Sequence, residues 1–236
     1  DAAQGFAFYS VPIGPVQNEL NKHKRLGLEA WRMDDRHTAL AVFMVDYREG
    51  DLGRYRELGI ACLAAPSSDP LAIGLVTLFL GVSGEFSRAA GKAIWGFPKS
   101  VHGIEIDYEA DSASLLFWNS TDDQRAGAEP VLRFTLPRGG DARSRDIPFY
   151  NYTKKGGALH RVTVTRSGEG EQWTRDHASV RLAIAPDAGA CQAAKLLAAL
   201  GLTGTEQDNL LYATWTENMT AELDAAVLVP FPDNAL

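Results

Sequence analysis

The residue of this chain with the clearest chemical potential is Lys99. It closes the run Gly91-Lys92-Ala93-Ile94-Trp95-Gly96-Phe97-Pro98-Lys99-Ser100, in which an aromatic-Gly-aromatic-Pro turn delivers a lysine beside two large rings, Trp95 and Phe97. An amine condenses with a carbonyl compound to a Schiff base only when unprotonated, and a free lysine, with a pKa of about 10.4, is almost wholly protonated at pH 7. Removal from water disfavours the ammonium and lowers the pKa by up to about 3–5 units. Lysine tolerates that shift and arginine does not. The plain alternative is an exposed lysine behind a proline turn, and composition alone favours it.

Other candidates are weaker. His102 lies three residues beyond Lys99. Tyr150, Tyr152 and His160 flank the Gly156-Gly157 turn, and Trp215 stands two residues before Glu217. Each reads better as a packing residue than as a reactive one. The five histidines are scattered, no Cys/His cluster has zinc spacing, and no H-E-x-x-H, G-x-S-x-G or P-loop pattern occurs. No metal or cofactor is expected. Cys62 and Cys191 sit among apolar residues and read as free, buried thiols.

The elements that must position Lys99 are mostly strands. Residues 38–47, 55–65 and 71–82 are apolar runs, and Glu57 lies near the start of the second. Such runs suit strands buried on both faces. Residues 83–94 form a short amphipathic helix, with Ser83 as N-cap and Phe86, Ala89, Ala90 and Ala93 on one face; Pro98 limits it. Short β-prone runs follow at 102–108, 112–119, 130–136, 159–166 and 178–185, separated by turn-rich stretches. Residues 189–200 are a second helix, stopped by Gly201. A short polar helix is expected within 17–25. Residues 1–16, with Pro12 and Pro15, read as irregular or edge strand, and 210–216 and 222–231 as strands or a strand and a helix. The pattern predicts a mainly β (α+β) chain: one domain over 1–236, an antiparallel β-barrel or double sheet with a few marginal helices.

Composition narrows the function classes. The chain has 236 residues, 45% hydrophobic and 22% charged, enough to bury a sizeable core without disulfides. A net charge of −7 repels phosphate backbones, so nucleic acid is not an expected partner. No run of about 18 apolar residues occurs, so no membrane span is expected; the first residues show no signal peptide, while an opening Asp in place of Met leaves a processed precursor open. The sequons at Asn119, Asn151 and Asn218 read as coincidental, and the expected location is the cytoplasm.

The W-G-F-P-K run, preceded by A-G-K and followed by I-E-I-D-Y, resembles the signature of the acetoacetate decarboxylase-like superfamily, in which a G-R-E-x-x-x-[FY]-P-K-K run presents a Schiff-base lysine. Upstream, Tyr55-Arg56-Glu57 resembles that family's Tyr-x-Glu segment, and its spacing to Lys99 is close to the family's. Weaker similarity continues to about residue 165. The resemblance implies Lys99 as the imine-forming nucleophile and Glu57 as an active-site carboxylate that moves a proton or orients substrate. It also implies substrate contacts from Trp95, Phe97, Ser100 and Lys92, the last standing where the family has the arginine of G-R-E.

Departures bear on the reaction. Ser100 replaces the second lysine of P-K-K, so no adjacent ammonium activates Lys99, and burial must. Ala93 replaces the glutamate of G-R-E, and Val42 falls near another of the decarboxylase's glutamates. Residues 1–21 contain no arginine to serve a substrate carboxylate, and Phe6 lies nearest that place. The implied function is a cofactor-independent lyase acting on a small-molecule keto or aldehyde substrate, by decarboxylation, aldol or dehydration chemistry, with a homo-oligomer possible. The alternative is a non-catalytic small-molecule binder or structural relative that kept the fold.

Overall fold

The stretch from His37 to Tyr47 turns its side chains alternately into two apolar cores: Leu40, Val42 and Met44 into one, Ala41, Phe43 and Val45 into the other. A strand covered on both faces shows no polar alternation, which is why it reads as a continuous hydrophobic run. The computed structural model describes residues 1–22, 26–121, 127–138, 142–144, 148–174, 179–186, 188–204 and 209–230.

The chain opens with β1 (Ala2–Pro12), α1 (Ile13–Asn21), β2 (Leu28–Ala30), β3 (His37–Tyr47), β4 (Tyr55–Pro66) and β5 (Gly74–Val82). Then come α2 (Glu85–Trp95), β6 (Lys99–Val101), β7 (Gly103–Tyr108), β8 (Ser112–Trp118), β9 (Leu132–Pro137) and β10 (Ala142–Ser144). The last part holds β11 (Phe149–Lys155), β12 (Ala158–Thr174), β13 (Arg181–Ile184), α3 (Gln192–Ala199), β14 (Leu210–Leu223) and β15 (Val227–Leu228).

The large sheet runs β2-β4-β3-β1-β14-β12-β11-β5-β6, and β5 also pairs with β4. The path from β4 through β3, β1, β14, β12, β11 and β5 therefore returns to its start, enclosing an interior. Its seam is irregular: β5 and β11 share only the pairs Asn151–Leu75 and Tyr152–Val76, and they run parallel. The pairing of β5 with β6 is parallel as well, so the large sheet is mixed rather than purely antiparallel. A four-stranded antiparallel sheet, β13-β9-β8-β7, packs on one outer face. There Phe117, Phe134 and Leu136 meet Ile60, Phe79 and Trp215 in the larger core. Each such fully buried side chain contributes about 1.5–3 kcal/mol. The smaller core, with Phe6, Phe43, Leu80 and Phe97, lies on the other face, inside the circuit.

Several expectations need correction. The first strand is not at an edge; β1 lies between β3 and β14. Pro12 is its last residue, and Pro15 falls in the first turn of α1, where a missing N–H costs nothing. Consequently α1 starts earlier than the polar stretch suggests. Residues 210–223 form one long strand, and only Val227–Leu228 pairs again, with β12. Cys62 and Cys191 are free and buried, and burial pushes the Cys62 thiol up to about 12. Asn151 is buried and paired with Thr77, which leaves its sequon no room for a glycan. Among the described residues no helix is long and apolar enough to cross a membrane.

Candidate active site

Lys99 opens the three-residue strand β6, where it pairs with Leu80 of β5. The route to it is a helix stop. Gly96 takes a left-handed conformation (φ +79°) and donates its N–H to Lys92 O at 3.1 Å, while Phe97 donates to Gly91 O at 3.3 Å. A side chain at position 96 would be strained by that φ and would lie 2.6 Å from Lys154 O. The helix end is fastened from outside: Thr153 Oγ1 donates to Trp95 O at 2.6 Å, Lys155 Nζ to Ile94 O at 2.8 Å, and Trp95 Nε1 to Asp224 O at 3.0 Å. The turn is therefore rigid where it hands over Lys99.

The amine meets three groups. Nζ donates to Glu57 Oε1 at 2.7 Å and to Ser87 Oγ at 3.0 Å, and it lies 5.0 Å from the centre of the Tyr55 ring. The Lys99 and Glu57 side chains are 4% and 6% exposed, so solvent screens the pair very little. Glu57 comes from β4, where it sits between Val45 and Val82 on the neighbouring strands. Ser87 and Gly91 are the buried residues of α2. A Cβ on Gly91 would stand 2.7 Å from Lys99 Cδ and 2.8 Å from Cε, so the absent side chain makes the channel through which the lysine runs. Tyr55 stacks on Tyr47 at 4.4 Å. Burial first, then the Glu57 charge, raises both phenols above their ordinary range, so both remain protonated donors.

Lys99, Glu57, Tyr55 and Tyr47 line a cavity of about 550 Å³. Phe6, Phe43, Leu75, Leu80 and Met219 supply apolar wall, and Thr77, Asn151, Gln4 and Arg166 supply polar points. Among the described residues no group of three or more His, Cys, Asp or Glu could hold a metal ion.

Of the residues singled out from sequence, Lys99, Glu57, Trp95 and Phe97 all line this cavity. Lys92 and Ser100 do not. Lys92 is exposed on the outer side of α2. Ser100, one residue after Lys99 on a strand, faces the other way, and its Oγ contacts His102 Nε2 at 2.8 Å. His102 packs between Phe79 and Phe117, where burial lowers its pKa. Tyr152 borders a separate hollow and donates to Ala72 O at 2.6 Å.

The sequence reading missed Ser87, Gly91, Tyr47 and Arg166. From sequence the apolar side of α2 reads as its buried side, yet Phe86 is 66% exposed and the small residues Ser87 and Gly91, one turn apart, face inward. A helix that packs over a lysine needs small residues at i and i+4, and that spacing was the available signal.

No family model and no curated protein matches the sequence. Solved structures do. An acetoacetate decarboxylase from Legionella pneumophila superposes with a TM-score of 0.66 at 12% identity, covering 98% of this chain and 85% of that one. The enduracididine biosynthesis enzyme MppR, in its complex with pyruvate, gives 0.57 at 11% identity, covering 96% and 88%. An acetoacetate decarboxylase-like enzyme from Sphingomonas wittichii RW1 gives 0.52 at 14% identity, covering 97% and 92%. The chain has the mainly β fold of acetoacetate decarboxylase and its structural relatives.

Proposed function

We propose that this protein is a cofactor-independent lyase in which Lys99 forms a Schiff base with a keto or aldehyde substrate. The observation that carries the reading is the contact of 2.7 Å between a buried lysine amine and a buried carboxylate that both line one cavity. Moving one proton from Nζ to Glu57 turns an ion pair into two neutral groups, and a buried site disfavours separated charge. No second ammonium is needed for that step, which fits serine at position 100.

The freed lone pair on Nζ adds to the carbonyl carbon, and the oxygen takes up a proton to give a carbinolamine. Transfer of the proton held by Glu57 to that hydroxyl expels water and leaves an iminium. A bond to the adjacent carbon can then break with its electron pair flowing into the C=N⁺ group, giving a neutral enamine. Loss of carbon dioxide, loss of an aldehyde or loss of a proton is each compatible with this sink. Protonation of the enamine carbon and hydrolysis return the amine. Glu57, at 2.7 Å from the amine, takes and returns the proton in this scheme, with the protonated Tyr55 as a second donor beside it.

The test is borohydride reduction in the presence of a panel of keto acids, ketones and aldehydes, read by intact mass. The wild type gains one reduced substrate mass and Lys99→Met gains none. Absence of any adduct across the panel contradicts the reading.

A further inference from the structure

Among the described residues lining the cavity, two carry cationic side chains, Lys99 and Arg166. Lys99 is accounted for by the proposed imine. Arg166 comes from β12, beyond β14 as seen from β1. Its guanidinium reaches back over β14: Nη1 donates to Gln4 Oε1 at 2.7 Å, and Cζ lies 5.6 Å from the centre of the Phe6 ring. Gln4 is buried, and its strand neighbour is Val45, which in turn neighbours Glu57. Two strand spacings, about 10 Å in all, thus separate the backbone level of Gln4 from that of Glu57. The guanidinium and the amine therefore serve one cavity from different walls.

From this geometry we infer that Arg166 holds the carboxylate of the substrate, which is an oxo acid bearing a bulky apolar or aromatic body rather than a small one. The inference rests on the imine reading of Lys99 and specifies its substrate. A guanidinium presents a planar fork of N–H donors that matches a carboxylate, and the Gln4 contact on Nη1 fixes how the fork is turned. The Phe6 face below it favours a cation there. Phe6 in turn packs on Phe43 at 5.0 Å, so the carboxylate site continues into aromatic wall. A cavity of about 550 Å³ is much larger than a three- or four-carbon acid needs.

Exposed carboxylates line the cavity too: Asp1, Glu49, Asp51 and Glu222. Salt screens exposed charges over about 8–10 Å, whereas the half-buried Arg166 is screened less, so the inner cation governs a bound anion.

Three matched probes test this: 4-phenyl-2-oxobutanoate, its methyl ester, and 4-phenylbutanoate, which has no ketone and forms no imine. In the wild type, borohydride trapping should half-saturate at lower acid than ester. Arg166→Gln should reduce that acid-over-ester preference at least about tenfold, and Arg166→Lys should restore part of it. Calorimetric binding of 4-phenylbutanoate should weaken about tenfold in Arg166→Gln and partly recover in Arg166→Lys. Equal affinity for 4-phenylbutanoate in wild type and Arg166→Gln overturns the assignment of Arg166, whether or not Lys99 forms an adduct. No trapped adduct with either carbonyl probe, together with loss of 4-phenylbutanoate binding in Arg166→Gln, overturns the imine reading and leaves the carboxylate site standing.

Discussion

Glu57 and Glu217 are both carboxylates held by cations, and their surroundings separate chemistry from architecture. Glu217, on β14, accepts from Trp215 Nε1 at 2.7 Å, Arg48 Nη2 at 3.0 Å and Arg138 Nε at 3.2 Å. Arg48 follows β3 of the large sheet and Arg138 follows β9 of the small one, so the cluster straps the two sheets together. Its cations do not release protons, and its carboxylate is 35% exposed. Glu57 faces a cation that can release one, in nearly complete seclusion from water, with a cavity alongside. The contrast shows that a carboxylate–cation contact says little by itself. What matters is whether the donor can lose its proton and whether a substrate can reach it.

Breaking the Glu57 pair should have the largest effect. Lys99→Met leaves a secluded carboxylate without its cation, which should cost about 3–5 kcal/mol in urea denaturation at neutral pH. The double variant Lys99→Met/Glu57→Leu removes both charges and should regain most of that loss, because apolar replacement of a buried pair is often neutral or stabilising. A double variant no more stable than Lys99→Met would show that the pair's burial is not the source of the cost.

Gly91→Ala alters the geometry of the Lys99–Glu57 pair without touching either charge. The new methyl group crowds Lys99 Cδ, at a cost of about 1–3 kcal/mol, while alanine in place of helical glycine returns about 1 kcal/mol. Stability should change by no more than about 2 kcal/mol, yet the rate of imine trapping should fall at least about tenfold as the amine is pushed from Glu57. Unchanged trapping in a folded Gly91→Ala protein would remove the geometric requirement.

The smallest effect belongs to Glu217. Burial works to raise its pKa, but hydrogen bonds from Trp215 and Arg48 and the charges of Arg138 and Arg48 outweigh it, so the folded value lies below the ordinary 4.5. As pH falls the unfolded chain binds the proton first. The contribution is therefore complete above about 4.5 and disappears as pH drops through the folded value. Glu217→Gln should cost no more than about 1 kcal/mol at neutral pH and flatten the stability curve below pH 4.5, leaving imine trapping as it was. A neutral-pH loss as large as that of Lys99→Met would contradict its reading as a half-exposed strap.

The parts of this site legible from sequence are those carried by local chain geometry. A turn of Trp95, Gly96, Phe97 and Pro98 fixes where Lys99 emerges, and the resemblance of the Tyr55-Arg56-Glu57 segment pointed to Glu57, 42 residues earlier. The strands β3, β4 and β5 were legible because burial on both faces leaves unbroken apolar runs. What stayed hidden depends on strand partners far apart in the chain. Arg166 meets Gln4 across 162 residues, and no local pattern encodes that pairing. The central place of β1 was masked by two prolines that lie at and beyond its end. Lys92 and Ser100 lie away from the cavity because chain neighbours of Lys99 on a helix or a strand point elsewhere: Lys92 is exposed on α2, and Ser100 lies on the opposite face of β6.

The proposed imine requires that Lys99, and not exposed lysines in general, react with carbonyl compounds. Borohydride reduction at neutral pH with limiting 4-phenyl-2-oxobutanoate, followed by proteolysis and mass mapping, tests it directly. The reduced adduct is expected on the peptide that contains Lys99, with little on the exposed Lys22, Lys92, Lys154 and Lys195. An adduct spread over those exposed lysines, with Lys99 unmodified, would contradict it.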